Sequence, residues 1–225
     1  MKEDDHASAN WADFLRRLPG LFVGLFFFAL GIVMTLYADL GMAPWSVLQV
    51  GLTRYTPLTF GQVSQVVGLA VLVLGWLLGF PPGFGTVMNM YFVGYFMDQI
   101  MAWGLVPVPR SLPGQLALLI GGILVLGAAS FMYLNPRLGA GPRDGLMMGL
   151  VQRLGRPVYQ VRGAIEVTVL ILGYLLGGPV GVGTLITAFT TGYSVQLAFR
   201  LGGYDKNARH MDLYGLIRYL RGSEP

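Results

Sequence analysis

Residues 75–86 read GWLLGFPPGFGT, and residues 173–184, 98 positions later, read GYLLGGPVGVGT. Each stretch closes an apolar run with glycine and proline and reopens with Gly-x-Gly-Thr. The match continues outward without a gap. Gly41 falls on Gly139, Pro44 on Pro142, Leu48 on Leu146 and Gly51-Leu52 on Gly149-Leu150. Gln62-Val63 falls on Gln160-Val161, and Gly94-Tyr95 on Gly192-Tyr193. From Leu36 to Ile100, 22 of 65 positions are identical to their counterparts, where this composition gives roughly a tenth by chance. The chain is a duplication, and its fold is one unit used twice.

Composition says where such a unit lives. Of 225 residues, 54% are hydrophobic and only 12% charged, with a mean hydropathy of +0.61. Soluble domains carry about 25% charged residues, so too little polar surface is left to cover a globule in water. The apolar runs have membrane length, about 20 residues each. There are 21 charge-free residues between Arg17 and Asp39, 43 between Arg54 and Asp98, 26 between Arg110 and Arg137, and 33 between Glu166 and Arg200. Thirty-three is tight for two spans, so the fifth begins before Glu166 and carries that carboxylate inside it. Six helices follow, near 19–38, 60–79, 84–103, 114–134, 158–177 and 182–201. The fold class is an all-α integral membrane protein: an N-terminal interfacial segment (1–19), a first membrane repeat (20–103), a second (114–201) and a C-terminal tail (202–225). The first span reads as a retained span, because its leader is acidic and no small-residue cleavage site follows it.

Charge orients the helices. With the N-terminus in the cytoplasm, 13 of the 15 basic residues fall inside, and only Arg54 and Arg110 outside. This asymmetry favours an even number of spans and both termini in the cytoplasm. It also accounts for the pI near 9.5 through anionic headgroups rather than nucleic acid. Each unit holds three spans, an odd number, so the second enters from the opposite side. The expected arrangement is an inverted-topology repeat, a plan common among secondary transporters.

Between the first and second spans of each unit lies a shorter element, Gly41-Met42-Ala43-Pro44-Trp45-Ser46 and Gly139-Ala140-Gly141-Pro142-Arg143-Asp144. Proline after small flexible residues starts a helix, and Ser46 and Asp144 then occupy the first turn, where an acceptor suits the dipole. Pro57 and Pro157 end these elements. They are too short to span and are re-entrant or interfacial.

These segments, with Pro82 to Asn89, Val161 to Leu170 and Gly181 to Thr184, carry a resemblance. The chain resembles the YczE/YitT-type family of bacterial multi-pass membrane proteins, and is most similar to its YczE branch. The resemblance covers residues 20 to 200. It implies an integral membrane protein and supplies no substrate, catalytic residue or cofactor. Where the first motif of the family usually has aspartate after tryptophan, this chain has Ser46.

The candidate substrate-binding or coupling residues are Glu166, Arg162, Asp144, Arg143, Asn89, Gln160, Ser46, Thr86 and Thr184. Glu166 is a carboxylate inside a span, where charge is costly and usually functional; its structural alternative is a pair with Arg162, four residues earlier. Arg143 and Asp144 open the second short helix, as an anion site or gate, or as a capped interfacial start. Thr86 and Thr184 follow Gly-x-Gly turns that lack the lysine of a phosphate loop and begin the third and sixth spans. Gln62, Gln65, Thr187, Thr190 and Thr191 read as interhelical hydrogen bonders. Asp98 reads as solvated. Tyr95 and Tyr193 read as packing or interface anchors.

His6 and His210 lie in the tails, away from every span, so neither a metal site nor a Ser/His/Asp hydrolase is expected. No cysteine is present, and no cofactor or enzyme activity is expected. Trp11, Phe14, Leu15 and Leu18 form an interfacial stripe, and Met211, Tyr214, Leu216, Ile217 and Leu220 a second one, which is alternatively a partner-binding tail. Two functions fit: a transporter for a small molecule or ion, and a membrane scaffold or regulator acting on a protein partner. Polar residues converging on an aqueous cavity favour the first. A dry centre with a lipid-exposed groove favours the second.

Overall fold

A computed structural model describes residues 2–205 and 210–222. Among the described residues there are nine helices and no strand: α1 (Lys2–Tyr37), α2 (Pro44–Thr53), α3 (Phe60–Leu77), α4 (Phe84–Ala102), α5 (Leu112–Leu134), α6 (Pro142–Leu154), α7 (Val158–Leu175), α8 (Val182–Leu201) and α9 (Leu213–Leu220). The starts of α2, α3 and α4 recur 98 residues later as the starts of α6, α7 and α8. The side chain of His6, and Lys206 and Arg209, fall outside the described residues.

Local chemistry sets the ends. Thr59 caps α3: its hydroxyl accepts from the Gln62 amide at 3.1 Å, and Gln62 Oε1 accepts from the Thr59 amide at 3.0 Å. The helix stops at Gly79, whose φ of +99° is left-handed. There the amide of Phe80 donates to Gly75 O at 3.1 Å and that of Gly79 to Trp76 O at 2.9 Å, a Schellman closure. Gly177, at φ +83°, ends α7 the same way, with Gly178 donating to Gly173 O at 2.8 Å and Gly177 to Tyr174 O at 2.8 Å. The repeated apolar-glycine-proline stretch is therefore a repeated helix stop and restart.

α1 packs along α5 at the centre, α4 packs on α1, and α8 on α5. Small residues allow the central approach: a side chain on Gly24 would begin 2.5 Å from the backbone nitrogen of Tyr133. Phe22 and Phe26 of α1 meet Phe92 and Phe96 of α4 edge to face, with centroids 4.9 and 5.6 Å apart. Each short helix seats on a long helix of the other unit, α2 on α7 and α6 on α3.

Among the described residues four helices are long and apolar enough to cross a membrane: the Ser8–Tyr37 part of α1, and α3, α5 and α7. α4 and α8, with 19 and 20 residues, have the length, but Asn89 and Asp98 in one and four threonines in the other dilute their hydropathy. Large apolar side chains, among them Ile171, Leu175, Leu185, Phe189 and Leu197, cover the outer faces of α7 and α8; such faces belong against an apolar partner.

Two features depart from expectation. The interfacial segment is not separate from the first span: α1 is one helix of 36 residues running through Pro19, about 54 Å long against a hydrocarbon slab of about 30 Å. Its early turns pack on α9, where Asn10 donates to Tyr219 O at 2.7 Å and the Tyr219 hydroxyl donates to Asp13 at 2.8 Å. Asp98, expected to be solvated, instead holds the start of α3. Its carboxylate accepts from the Gly61 amide at 2.9 Å and from the Thr59 hydroxyl.

Candidate functional site

The site is built where the short helices begin. Gly41 and Gly139 have φ of +97° and +133°, and Pro44 and Pro142 then open α2 and α6. Each bend is held by the Gly-x-Gly-Thr turn of the other unit. The Gly183 amide donates to Leu40 O at 2.6 Å, and the Gly85 amide to Leu138 O at 2.7 Å. The threonines brace these turns from within: Thr86 Oγ1 accepts from the Gly83 amide at 3.1 Å, and Thr184 Oγ1 from the Gly181 amide at 3.2 Å. The turns are brackets for a broken chain. Only glycine fits at this approach, because a side chain on Gly139 would begin 2.7 Å from Thr86 Oγ1 and 2.9 Å from the Gly83 Cα.

Between the two brackets lies a chamber of about 410 Å³, lined by Trp45, Asn89, Arg143, Asp144, Arg162 and Glu166. This is a size suited to small molecules. Its walls pair by the 98-residue offset: Trp45 with Arg143, Ser64 with Arg162, Gly68 with Glu166, and Asn89 with Thr187. The second unit supplies all the charge of the lining, while the first presents an aromatic ring, a hydroxyl and a glycine in the matching places. Duplication made the chamber, and divergence polarised it.

The charges are disposed unequally. Arg162 and Glu166 form an ion pair at 3.1 Å, one turn apart on α7, with side chains 61% and 31% exposed. Glu166 thus lies within the membrane-length helix α7, as expected, and makes the pair with Arg162 that was its structural alternative. Arg143 lies over the Trp45 ring, 4.6 Å from its centroid. Among the described residues neither Arg143 nor Asp144 has an ion-pair partner. Three oxygens meet near Gly141: the position of a side-chain carbon on that glycine is 3.5 Å from Asp144 Oδ2, 3.5 Å from the Tyr133 hydroxyl and 3.9 Å from Asn89 Oδ1. Tyr133 is only 6% exposed, and its hydroxyl has no hydrogen bond among the described residues.

A second chamber, about 250 Å³, lies across the Gly139–Asp144 segment and is lined by Thr86, Gly139, Asp144, His210 and Met211. The C-terminal tail covers it. The Met211 amide donates to Arg137 O at 3.0 Å and the Leu213 amide to Pro82 O at 3.0 Å. His210 Nε2 pairs with the Tyr204 hydroxyl at 2.9 Å, while its Nδ1 is buried without a partner. This corrects the expectation that no histidine lies near a span: His210 is distant in sequence and folds back over the start of α6. Burial, reinforced by the Arg137 guanidinium, lowers its pKa below the usual imidazole value.

Of the expected site residues, Glu166, Arg162, Asp144, Arg143 and Asn89 line the large chamber, and Thr86 the small one. The others stand elsewhere. Ser46 is buried, 5% exposed, outside both linings. Thr184 is 1% exposed and serves its bracket. Gln160 is exposed and donates to the Tyr159 hydroxyl at 3.2 Å. The expected interhelical hydrogen bonders divide as well: Gln65 donates to Tyr91 O on α4 at 2.9 Å, but Thr187, Thr190 and Thr191 bond to carbonyls of their own helix. Trp45 and Tyr133 were missed. The offset that sets Trp45 opposite Arg143 was the available signal for the first. Nothing local marks Tyr133.

Comparison with known proteins places the chain among relatives of like length. The family of unknown function DUF6198 matches residues 15–200. An uncharacterized protein of Haemophilus influenzae is 33% identical over 190 residues, 84% of this chain and 86% of the relative. The uncharacterized membrane protein YczE of Bacillus subtilis is 34% identical over 181 residues, 79% of this chain and 82% of the relative. The uncharacterized protein YyaS of the same organism is 23% identical over 183 residues. No solved structure matches.

Proposed function

The chain belongs to DUF6198, a family of unknown function, and we propose that it is a six-span protein of the bacterial cytoplasmic membrane that carries a small polar solute through its central chamber. The observation that carries the reading is the lining of that chamber: charged and polar side chains converge where the two units meet, and a scaffold has no use for such a space.

Topology supports it. With α4 and α8 counted as spans, each unit has three, and the second runs opposite to the first. The contacts agree with that sidedness. The Gly83 turn, the Gly139 bend and Met211 meet at one end, the end given to the cytoplasm by charge, and the Gly41 bend meets the Gly181 turn at the other. The Gly139–Asp144 segment then divides the central chamber from an inner chamber under the tail. Moving it connects the two, and lifting the tail opens the inner one to the cytoplasmic side.

The test is uptake. Wild-type protein in proteoliposomes is screened on a solid-supported membrane with amino acids, sugars, carboxylates and polyamines, beside Asp144→Asn. A solute-dependent current or accumulation in wild type, reduced at least about tenfold in the variant, is the expected outcome. Uptake of no solute, together with crosslinks from the exposed face of α7 to one membrane protein in cells, overturns it and favours the regulator.

The tail carries its own expected result. The docked pKa of His210 lies below its undocked value, so docking is fully supported above about pH 6.5 and is lost as pH falls through the docked pKa. Proteolytic cleavage within 203–222 is expected to rise between about pH 7.5 and 5.5. His210→Gln is expected to remove that dependence. Tyr204, Arg137, Asp144 and Asp212 face the same chamber or ring, so a dependence that survives His210→Gln assigns it to one of them.

A further inference from the structure

The two unpaired charges of the chamber define a ligand. Arg143 and Asp144 are adjacent in sequence at the start of α6, line one chamber, and make no ion pair with each other. Arg143 lies over the Trp45 ring, and its guanidinium has N–H donors in a fork that suits a planar anion. Asp144 joins the Tyr133 hydroxyl and Asn89 Oδ1 around Gly141. Three oxygens gathered beside Gly141 supply as many acceptors as a primary ammonium has N–H donors. A solute with only a positive charge leaves Arg143 uncompensated in a partly dehydrated space, and a solute with only a negative charge leaves Asp144 so. One with both charges a few bonds apart satisfies each.

We propose that the central chamber binds a small zwitterion of the amino-acid type, its carboxylate on Arg143 and its primary ammonium on Asp144, Tyr133 and Asn89. This deepens the transporter reading and rests on it. The side chain of the zwitterion lies toward Phe28 and Val67, apolar residues of the same lining. The Arg162–Glu166 pair closes on itself in the same lining, available to exchange partners as the solute enters. No bond is made or broken.

The experiment uses the full-length protein in detergent. The probes are alanine, leucine, phenylalanine, glutamate and lysine, each beside its amide, which lacks the carboxylate, and its N-acetyl form, which lacks the ammonium. Glycine betaine has both charges but no N–H donor. At about a hundredfold excess over Kd, a bound zwitterion is expected to raise the melting temperature by about 5 °C. Its amide and N-acetyl form, and betaine, are expected to bind at least about tenfold more weakly. The variants give a pattern that mere structural damage does not. Arg143→Gln is expected to bind parent and amide equally, and Asp144→Asn to bind parent and N-acetyl form equally, while Arg143→Lys recovers part of the discrimination. A one-charge probe that binds as well as its parent overturns the zwitterion and leaves the chamber as a solute site. So does uptake of sugars alone in proteoliposomes. No melting shift with any probe and no uptake of any solute overturns both.

Discussion

Gly139→Ala is expected to lower the melting temperature by about 5 °C or more, a large effect for a single residue. Two independent costs meet at this position. Its φ of +133° is strained for any residue with a side chain, at about 1–3 kcal/mol. The added carbon also begins 2.7 Å from Thr86 Oγ1 and 2.9 Å from the Gly83 Cα, an overpacking that costs about 1–3 kcal/mol. Thr86→Ala in the same chain relieves the first contact but not the backbone, so the double variant is expected to recover only part of the loss. Gly163→Ala serves as the contrast. That glycine is inside α7 with no atom within 4 Å of an added carbon, and alanine there is expected to be neutral or stabilising, by about 0.5–1 kcal/mol. Equal melting of Gly139→Ala and wild type removes the bracket from the account of the fold.

Gly141→Ala, two residues on, is expected to do the reverse: spare the fold and empty the site. The backbone here, at φ −64° and ψ 157°, suits alanine, and the added methyl meets Asp144 Oδ2, the Tyr133 hydroxyl and Asn89 Oδ1 at 3.5, 3.5 and 3.9 Å. Those are ordinary contact distances, so melting without solute is expected to shift by no more than about 0.5 kcal/mol in stability. The methyl occupies the point that the three oxygens share. Affinity for the chamber's solute is expected to fall at least about a hundredfold, near 2.7 kcal/mol, because a displaced donor leaves the Tyr133 and Asn89 oxygens without a partner and Asp144 with only the Gly141 amide. Calorimetric titration beside a melt reads both quantities. Undiminished affinity in a folded Gly141→Ala places the solute elsewhere in the chamber.

The pair of glycines shows how much was legible. Both stood in the repeated short segment, and the sequence marked the segment as a broken helix before α6. It could not distinguish a glycine required by a neighbouring turn from one that makes room for a ligand, because the turn comes from the other unit and the oxygens from α4, α5 and α6. Glu166 is a similar case. A carboxylate among apolar residues was readable as costly, and Arg162 as its near neighbour on the helix face. The azimuth of α7 decided that the pair lines the chamber. Ser46 and Asp144 occupy equivalent positions 98 residues apart, yet Ser46 is buried outside the chamber and Asp144 faces it, so equivalence in the repeat did not carry equivalence of role.

By itself the sequence determined the helical class, the duplication, the bounds of the long helices apart from the start of α1, and the two short helices between them. These follow from signals confined to a few turns of chain: charge-free length, a glycine that permits a left-handed stop, a proline that fits a first turn, and composition summed over a span. Tertiary structure alone decided the exchange of brackets between units, the gathering of Asp144, Tyr133 and Asn89, the cap that Asp98 places on α3, and the return of His210 to the start of α6. Each joins residues far apart along the chain, and its geometry is fixed by how helices rotate and cross when their small residues come into contact, which no local pattern encodes.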